Sequence, residues 1–391
     1  MNTLEKQMFR HYLYARVNEY YMFKEYRMTP GESYKDFKIN LAFSRFGFPE
    51  KHRSEYVKLI RLLSHVDDIL SVFIILFRFL HSLFLVVTTK NRNITNKKMV
   101  MGISGQKVNT LFKQASIDTN DICVVTSPYC KSHLYDKNWG ELIPVHSNIS
   151  VSEVVSALYL SLRMTIYTKI KFGKRDCLFR SYSAFEYFLC YYFFLKLNST
   201  NTAYYISIND RWAYLFGHLN CKTVFLQHGA LNKNKTLFIM SKIGRTDIGY
   251  YINDVQREIC NRYMFSNVPI DYYFTKMEFT SNDKLLRNGK KNVLLVCELI
   301  YYNREKEIIE QISSTGKYNL YVKPHPQNDP INYLKLQEVH KFTMLGKTDY
   351  PAVDYVISYD STLVLEYQSN GIKTLMYEDD EFDIEYQKLL G

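Results

Sequence analysis

Three stretches of the chain set side chains of chemical use side by side. In Tyr321-Val322-Lys323-Pro324-His325-Pro326 a lysine and a histidine alternate with prolines. The prolines fix the backbone, so both cations can meet an anion with little entropy left to lose. In Val356-Ile357-Ser358-Tyr359-Asp360-Ser361-Thr362 an apolar run ends in hydroxyls, and the helical pattern Leu363-Val364-Leu365-Glu366-Tyr367 follows. Hydroxyls together with the backbone N–H groups of a helix start form an anion site. The ordinary role of Ser361 and Thr362 alone is N-capping; Lys323 and His325, on a preceding strand end of the same predicted sheet, turn the pair toward phosphate.

The third stretch is Val224-Phe225-Leu226-Gln227-His228-Gly229-Ala230, where Gly229 allows a sharp turn and the close approach of a ligand. A strand-end histidine by itself is more often structural than catalytic. Upstream, Asn209-Asp210-Arg211-Trp212 also follows an apolar run and supplies a carboxylate and a guanidinium, with helix capping by Asn209 or Asp210 as the alternative. Glu298, at the end of another apolar run, and Glu366 are candidates for binding a ribose or a base. A helix cap and a surface charge are their plainer roles.

These segments need strand ends to stand on, and the pattern from Met99 onward supplies them. Short β-rich runs alternate with helical stretches: Met99 to Ile103, Ile122 to Thr126, Ala203 to Ile208, Thr223 to Leu226 and Tyr272 to Thr275. That alternation predicts an α/β fold with parallel sheets wrapped by helices, in which ligands bind beyond the carboxyl ends of the strands. The run Phe185 to Phe194 is apolar almost all round and predicts a core helix. A polar, basic stretch at Arg287-Asn288-Gly289-Lys290-Lys291 precedes the buried-strand pattern Val293 to Val296. It places a domain boundary between 288 and 289. Residues 1–288 then form one domain, helical over its first hundred residues, and 289–391 form a second. Within the second, strands Val293–Val296, Leu320–Val322, Tyr355–Ile357 and Thr374–Met376 and helices from Glu305 and Ser361 are predicted.

A chain of 391 residues suits two domains. With 47% hydrophobic and 23% charged residues it should fold along nearly its whole length. The formal charge of +11 fits an anionic partner. Lys and Arg are spread from Lys6 to Lys388 without the one-faced basic and aromatic footprint of nucleic-acid binders, which argues against nucleic acid. The seven cysteines contain no CxxC pair and read as free thiols of a cytoplasmic protein, and the N-terminus lacks the pattern of a secretion signal. Ile69 to Val87, ILSVFIILFRFLHSLFLVV, is nearly long enough to span a bilayer but carries Arg78 and His81 near its middle. An arginine at that depth costs roughly 2.5–3.5 kcal/mol. A buried or interfacial helix is the plainer expectation, and peripheral attachment at the inner face of the cytoplasmic membrane, helped by the basic run Lys90 to Lys98, is the functional one.

Together, the His-Pro element at Lys323 to Pro326 and the Ser361-Thr362 element resemble the donor-phosphate site of bacterial GT-B sialyltransferases, polysialyltransferases and related capsule transferases. Gln227-His228-Gly229 is similar to the QHG element of capsule and surface-carbohydrate biosynthesis proteins, including capsule Kdo transferases, and more loosely to the His-Gly of CDP-glycerol glycerophosphotransferases. The likeness covers roughly Tyr204 to Tyr377. The acidic Asp/Glu-Asp/Glu-Gly motif of polysialyltransferases has no counterpart here. The resemblance implies a GT-B fold of two Rossmann-like domains facing a cleft, and an inverting glycosyltransferase that uses a nucleotide sugar, CMP-linked for choice. His228, or Asp210, would be the base. Lys323, His325, Pro326, Ser361, Thr362, Glu298 and Glu366 would bind the donor, and Gln227, Gly229 and Arg211 would lie toward the glycan or lipid-linked glycan acceptor. No Asp-x-Asp stands at a strand end, so neither a metal nor a further cofactor is expected. CDP-glycerol or UDP-sugar transfer, and a non-catalytic, membrane-associated role in polysaccharide assembly, are the alternatives.

Overall fold

The computed structural model describes residues 1–26, 54–55, 57–59, 62, 67–101, 105–128, 139–172, 182–206, 211–229, 242–280, 285–286, 288–298, 301–325, 331–346, 348–359, 361–377, 379 and 381–391. They form two compact units, one built mainly from the chain up to Thr275 and one mainly from Lys276 onward.

The first unit runs α1 (Thr3–Tyr26), α2 (Asp67–Thr88), β1 (Lys98–Val100), α3 (Gly105–Gln114), β2 (Ile122–Thr126), β3 (Leu142–Pro144), α4 (Val151–Phe172), α5 (Tyr182–Phe194), β4 (Thr202–Tyr205), α6 (Arg211–Phe216), β5 (Lys222–Leu226), β6 (Ile248–Tyr251), α7 (Asp254–Ile259) and β7 (Ile270–Tyr273). Its seven strands are all parallel, in the order β3-β2-β1-β4-β5-β6-β7. Both faces of the sheet are covered, so central strands such as Ile122–Val125 read as unbroken apolar runs. Every residue of α5 from Ala184 to Phe194 is buried, as its all-round apolar surface demands.

The second unit runs β8 (Lys291–Val296), α8 (Tyr302–Thr315), β9 (Tyr318–Lys323), α9 (Ile331–Val339), β10 (Thr343–Met344), β11 (Tyr355–Ser358), α10 (Thr362–Ser369), β12 (Lys373–Met376) and α11 (Phe382–Leu390). Its five strands are also parallel, in the order β10-β9-β8-β11-β12. Alternate residues serve opposite faces. Val293, Leu295, Val322 and Ile357 pack with Ile308, Ile312 and Tyr386, while Leu294, Val296, Tyr321 and Val356 pack with Val364 and Tyr367. α8 stops at Gly316, whose φ of 63° is the left-handed conformation of a helix C-cap.

The expected α/β class, with two parallel sheets wrapped by helices, is what the chain has. Three strands carry no sequence signal that predicts them: β3 has three residues and ends in proline, β10 has two, and β6 begins Ile-Gly. In each sheet the order reverses once, beside β1 and β4 in the first and beside β8 and β11 in the second. Ligands of open parallel sheets bind at such reversals, beyond the carboxyl ends of the strands.

Candidate functional site

In the second unit, register brings the strand ends to one edge. Val296 pairs with Lys323, Leu295 with Ile357, and Ser358 with Met376. Residues just beyond these therefore gather on the same rim: Cys297 and Glu298 after β8, Pro324 and His325 after β9, Tyr359 and Ser361 after β11. Ser358 is fully buried and its hydroxyl donates to the Val296 carbonyl at 2.8 Å, tying β11 to β8 at this edge.

Ser361 occupies the N-cap position of α10, and its side chain makes no capping hydrogen bond. Its carbonyl accepts the Val364 N–H at 3.0 Å. The helix is oriented by Val364, Leu365 and Tyr367, which face the core, and Ser361 and Thr362 lie half-buried at its start, beside the strand reversal. His325 is half-buried in the turn leaving β9. Pro326 and Asp360 lie outside the described residues.

Lys323, expected among the phosphate ligands, is turned toward backbone carbonyls. Its side chain is buried, and its ammonium donates to the carbonyls of Gly346 at 2.7 Å and Asp349 at 2.9 Å and sits 4.3 Å from the centre of the Tyr350 ring. Asp349 in turn accepts the Gly346 N–H at 2.8 Å. The lysine is thus the post around which residues 346–350 are wound. Glu366 is half-buried and faces the same turn, where its charge adds to burial in raising the Tyr350 hydroxyl's pKa.

Two features of this edge have no counterpart among the sequence expectations. Tyr301, before α8, and Tyr359, after β11, bring their ring centres to 4.0 Å across the reversal. The other is a buried acid, Glu305. Its carboxylate accepts the Glu298 N–H at 2.6 Å and the Tyr333 hydroxyl at 2.6 Å, and burial raises its pKa to about 7 against the pull of those hydrogen bonds. Glu305 thereby fixes the backbone at Glu298. The signal was an acid at an inward position of an amphipathic helix, among Ile308, Ile309 and Ile312.

In the first unit, His228 is half-buried just beyond β5, on a turn held from both sides. Gln227 is wholly buried; its amide donates to the Gly229 carbonyl at 3.0 Å and to the Gln256 side chain at 2.7 Å, and its own carbonyl accepts the Ile252 N–H at 3.1 Å. Gln256 is placed by Asn253, which caps α7 by accepting the Gln256 N–H. With both polar atoms of its side chain engaged and none of its surface exposed, Gln227 positions the turn. Gly229 has a φ of +95° with open space where a Cβ would stand, so glycine is required here by backbone conformation. Arg211 begins α6, its side chain outside the described set, and Asp210 is likewise outside the described residues. Sequence patterning also gives no sign that Glu186, inside the apolar α5, is buried and accepts from the Ser127 hydroxyl at 2.9 Å just beyond β2.

No family model and no curated protein matches the chain. Among solved structures it is similar to MurG of Acinetobacter baumannii, with 12% identity, 75% of this chain and 81% of that one covered and a TM-score of 0.38. A second is the glycosyltransferase SsfS6 of Streptomyces sp. SF2575 in complex with thymidine diphosphate, at 9% identity, 75% and 85% coverage and a TM-score of 0.36. A third is the wall teichoic acid polymerase TagF, at 11% identity, 82% and 80% coverage and a TM-score of 0.38.

Proposed function

We propose that the chain is an inverting, metal-independent glycosyltransferase of the GT-B type, moving a sugar from a nucleotide-activated donor to a bacterial surface glycan or lipid-linked acceptor. The donor favoured is a CMP-linked nonulosonic acid or Kdo. The observation that carries the reading is the rim of the second sheet at its strand reversal. There an uncapped Ser361 hydroxyl and the start of α10 stand on the same edge as His325 and the Tyr301–Tyr359 ring pair.

In this mechanism the acceptor hydroxyl oxygen attacks the anomeric carbon as the bond from that carbon to the donor phosphate oxygen breaks. His228 takes the hydroxyl proton, a role that suits imidazole near neutral pH, with Asp210 as the alternative base. The departing phosphate takes its stabilisation from His325, the hydroxyls of Ser361 and Thr362 and the N–H groups of α10, each such donor contributing about a few kcal/mol. The tyrosine pair stacks on the nucleobase, and Glu298, whose backbone Glu305 holds, reaches the ribose. Lys323 acts by shaping the turn at 346–350. CDP-glycerol transfer is the second reading, since the same phosphate ligands serve it.

A thermal-shift titration with CMP, CDP, UDP and GDP, on the wild type and on His325→Ala, tests the proposal, because a ligand bound only by the native state raises its stability. Stabilisation by CMP that the variant loses is the expected result. Preference for CDP moves the reading to the glycerol phosphate donor, and indifference to all four nucleotides moves it to a non-catalytic binding role.

A further inference from the structure

The helices α2 and α4 pack on one another, and each leaves an apolar face exposed. On the side that α2 turns inward, Ser71, Ile75 and Ser82 are buried, Phe79, Leu83 and Val86 pack half-buried against the core, and Ser82 meets His146 at 3.0 Å. The stripe it turns to solvent is Ile69, Phe73, Phe77, Leu80, Phe84 and Val87, spaced by three and four residues along a single face. Phe77 is 69% exposed and Val87 77%. α4 likewise exposes Val151, Val155, Tyr159, Ile166 and Ile170, while its buried face carries Val154, Ala157, Leu160 and Met164 together with Ser161 and Thr165, so it is apolar on both sides. A helix of a water-facing surface is polar or charged on its outer face. Exposed apolar surface on this scale marks an interaction face, so α2, expected to be buried or interfacial, is not a buried helix.

Charge identifies what covers it. α2 opens with Asp67 and Asp68, but from Ile69 to Thr88 there is no acid, and Arg78 is the one full-time charge. α4 contains Arg163, Lys169 and Lys171 against the single acid Glu153, which is engaged by Lys196 at 2.8 Å. Past α2 come Lys90, Arg92, Lys97 and Lys98, of which Arg92 and Lys97 share one carboxylate, Glu141, and Lys98 lies 3.8 Å from Asp121. Apolar stripes ringed by excess cations match a bilayer with anionic headgroups. The inward residues of α2 are distributed from Ser71 to Ser82, so the helix touches the protein body along its length and cannot cross a membrane on its own. We propose that α2 and α4 lie side by side in the plane of an anionic bilayer surface, their phenylalanine and isoleucine side chains entering the headgroup boundary. The inference stands apart from the transferase reading, because it uses neither strand-end site.

Cosedimentation of the full chain with vesicles of phosphatidylcholine, alone and mixed with phosphatidylglycerol, tests it, across a salt series. Binding to the mixed vesicles, weakened by salt, is expected, and the double substitution Phe77→Glu with Ile170→Glu should reduce it by about tenfold or more. A conservative variant, Phe84→Trp, reads the same contact without loading the fold, and the emission it adds to that of the wild type should shift to the blue on adding mixed vesicles. Failure to bind either vesicle, an unchanged emission spectrum of the Phe84→Trp variant, or a wild-type dimer that the double variant dissolves would overturn the proposal, the last by showing that a second copy covers the face. Nucleotide titration fails or succeeds independently of all these outcomes.

Discussion

At the level of single residues, Ser361 separates two roles that the sequence leaves together. A serine whose hydroxyl caps a helix loses about 1 kcal/mol of stability on truncation, but this one makes no such bond. Ser361→Ala should therefore leave the chemical-denaturation midpoint within the error of the wild type, while nucleotide affinity, measured by calorimetry, falls by about tenfold, the worth of one hydrogen bond to a charged group. A drop in stability with affinity intact would return it to capping. Tyr301→Ala removes one ring of the pair and should weaken nucleotide binding by about tenfold or more, given stacking worth about 1–3 kcal/mol per base. Its effect should be the same for every nucleotide, because an aromatic face does not distinguish bases strongly.

Elements set what these residues can do, and Lys323 is the instructive case. It ends β9, where patterning and the neighbouring histidine make it look like a ligand for anions. In three dimensions its ammonium is turned to the carbonyls of Gly346 and Asp349. Lys323→Met keeps the length and removes the donors, leaving those carbonyls without the ammonium; the expected cost is about 2–4 kcal/mol in the denaturation free energy, with nucleotide affinity reduced only through the loosened turn. A variant of wild-type stability that loses nucleotide outright would restore the ligand role. The strands that are buried on both faces, such as β2, β5 and β8, were legible because their apolar runs are continuous. β6 was not, because Gly249 interrupts its run: a Cβ there would stand 2.2 Å from the Tyr251 hydroxyl oxygen, so close packing excludes the side chain that would have marked a strand. Positions of strand-end motifs were likewise legible, since chain order fixes them, whereas the direction of a long side chain such as Lys323 and the meeting of Tyr301 with Tyr359 depend on neighbours distant in sequence.

For the molecule as a whole, the two units carry buried titratable groups of opposite sign. In the first, burial, with a further contribution from His218, lowers the pKa of His11 to about 3, and burial, with His81, lowers that of His146 to about 4. Their unfolded counterparts take up protons near 6.5, so as the pH drops below 6.5 the unfolded state gains protons that the folded one refuses, and stability is lost. In the second, Glu305 keeps its proton to about 7 when folded but releases it near 4.5 when unfolded. Its contribution therefore favours the folded state in acid and is lost as the pH rises from 4.5 through 7, by up to about 3 kcal/mol. Acid should thus weigh on the first unit and neutral pH on the second. Scanning calorimetry between pH 5 and pH 8 should find that His11→Gln flattens the acid side of the stability profile and leaves the upper side in place. Glu305→Gln, which copies the protonated acid at Tyr333 and Glu298, should remove the decline between pH 5 and 7 and leave the acid side in place. If both substitutions instead shift stability by the same amount at every pH, these groups titrate alike in the folded and unfolded states, and the pH response must be sought in the exposed charges.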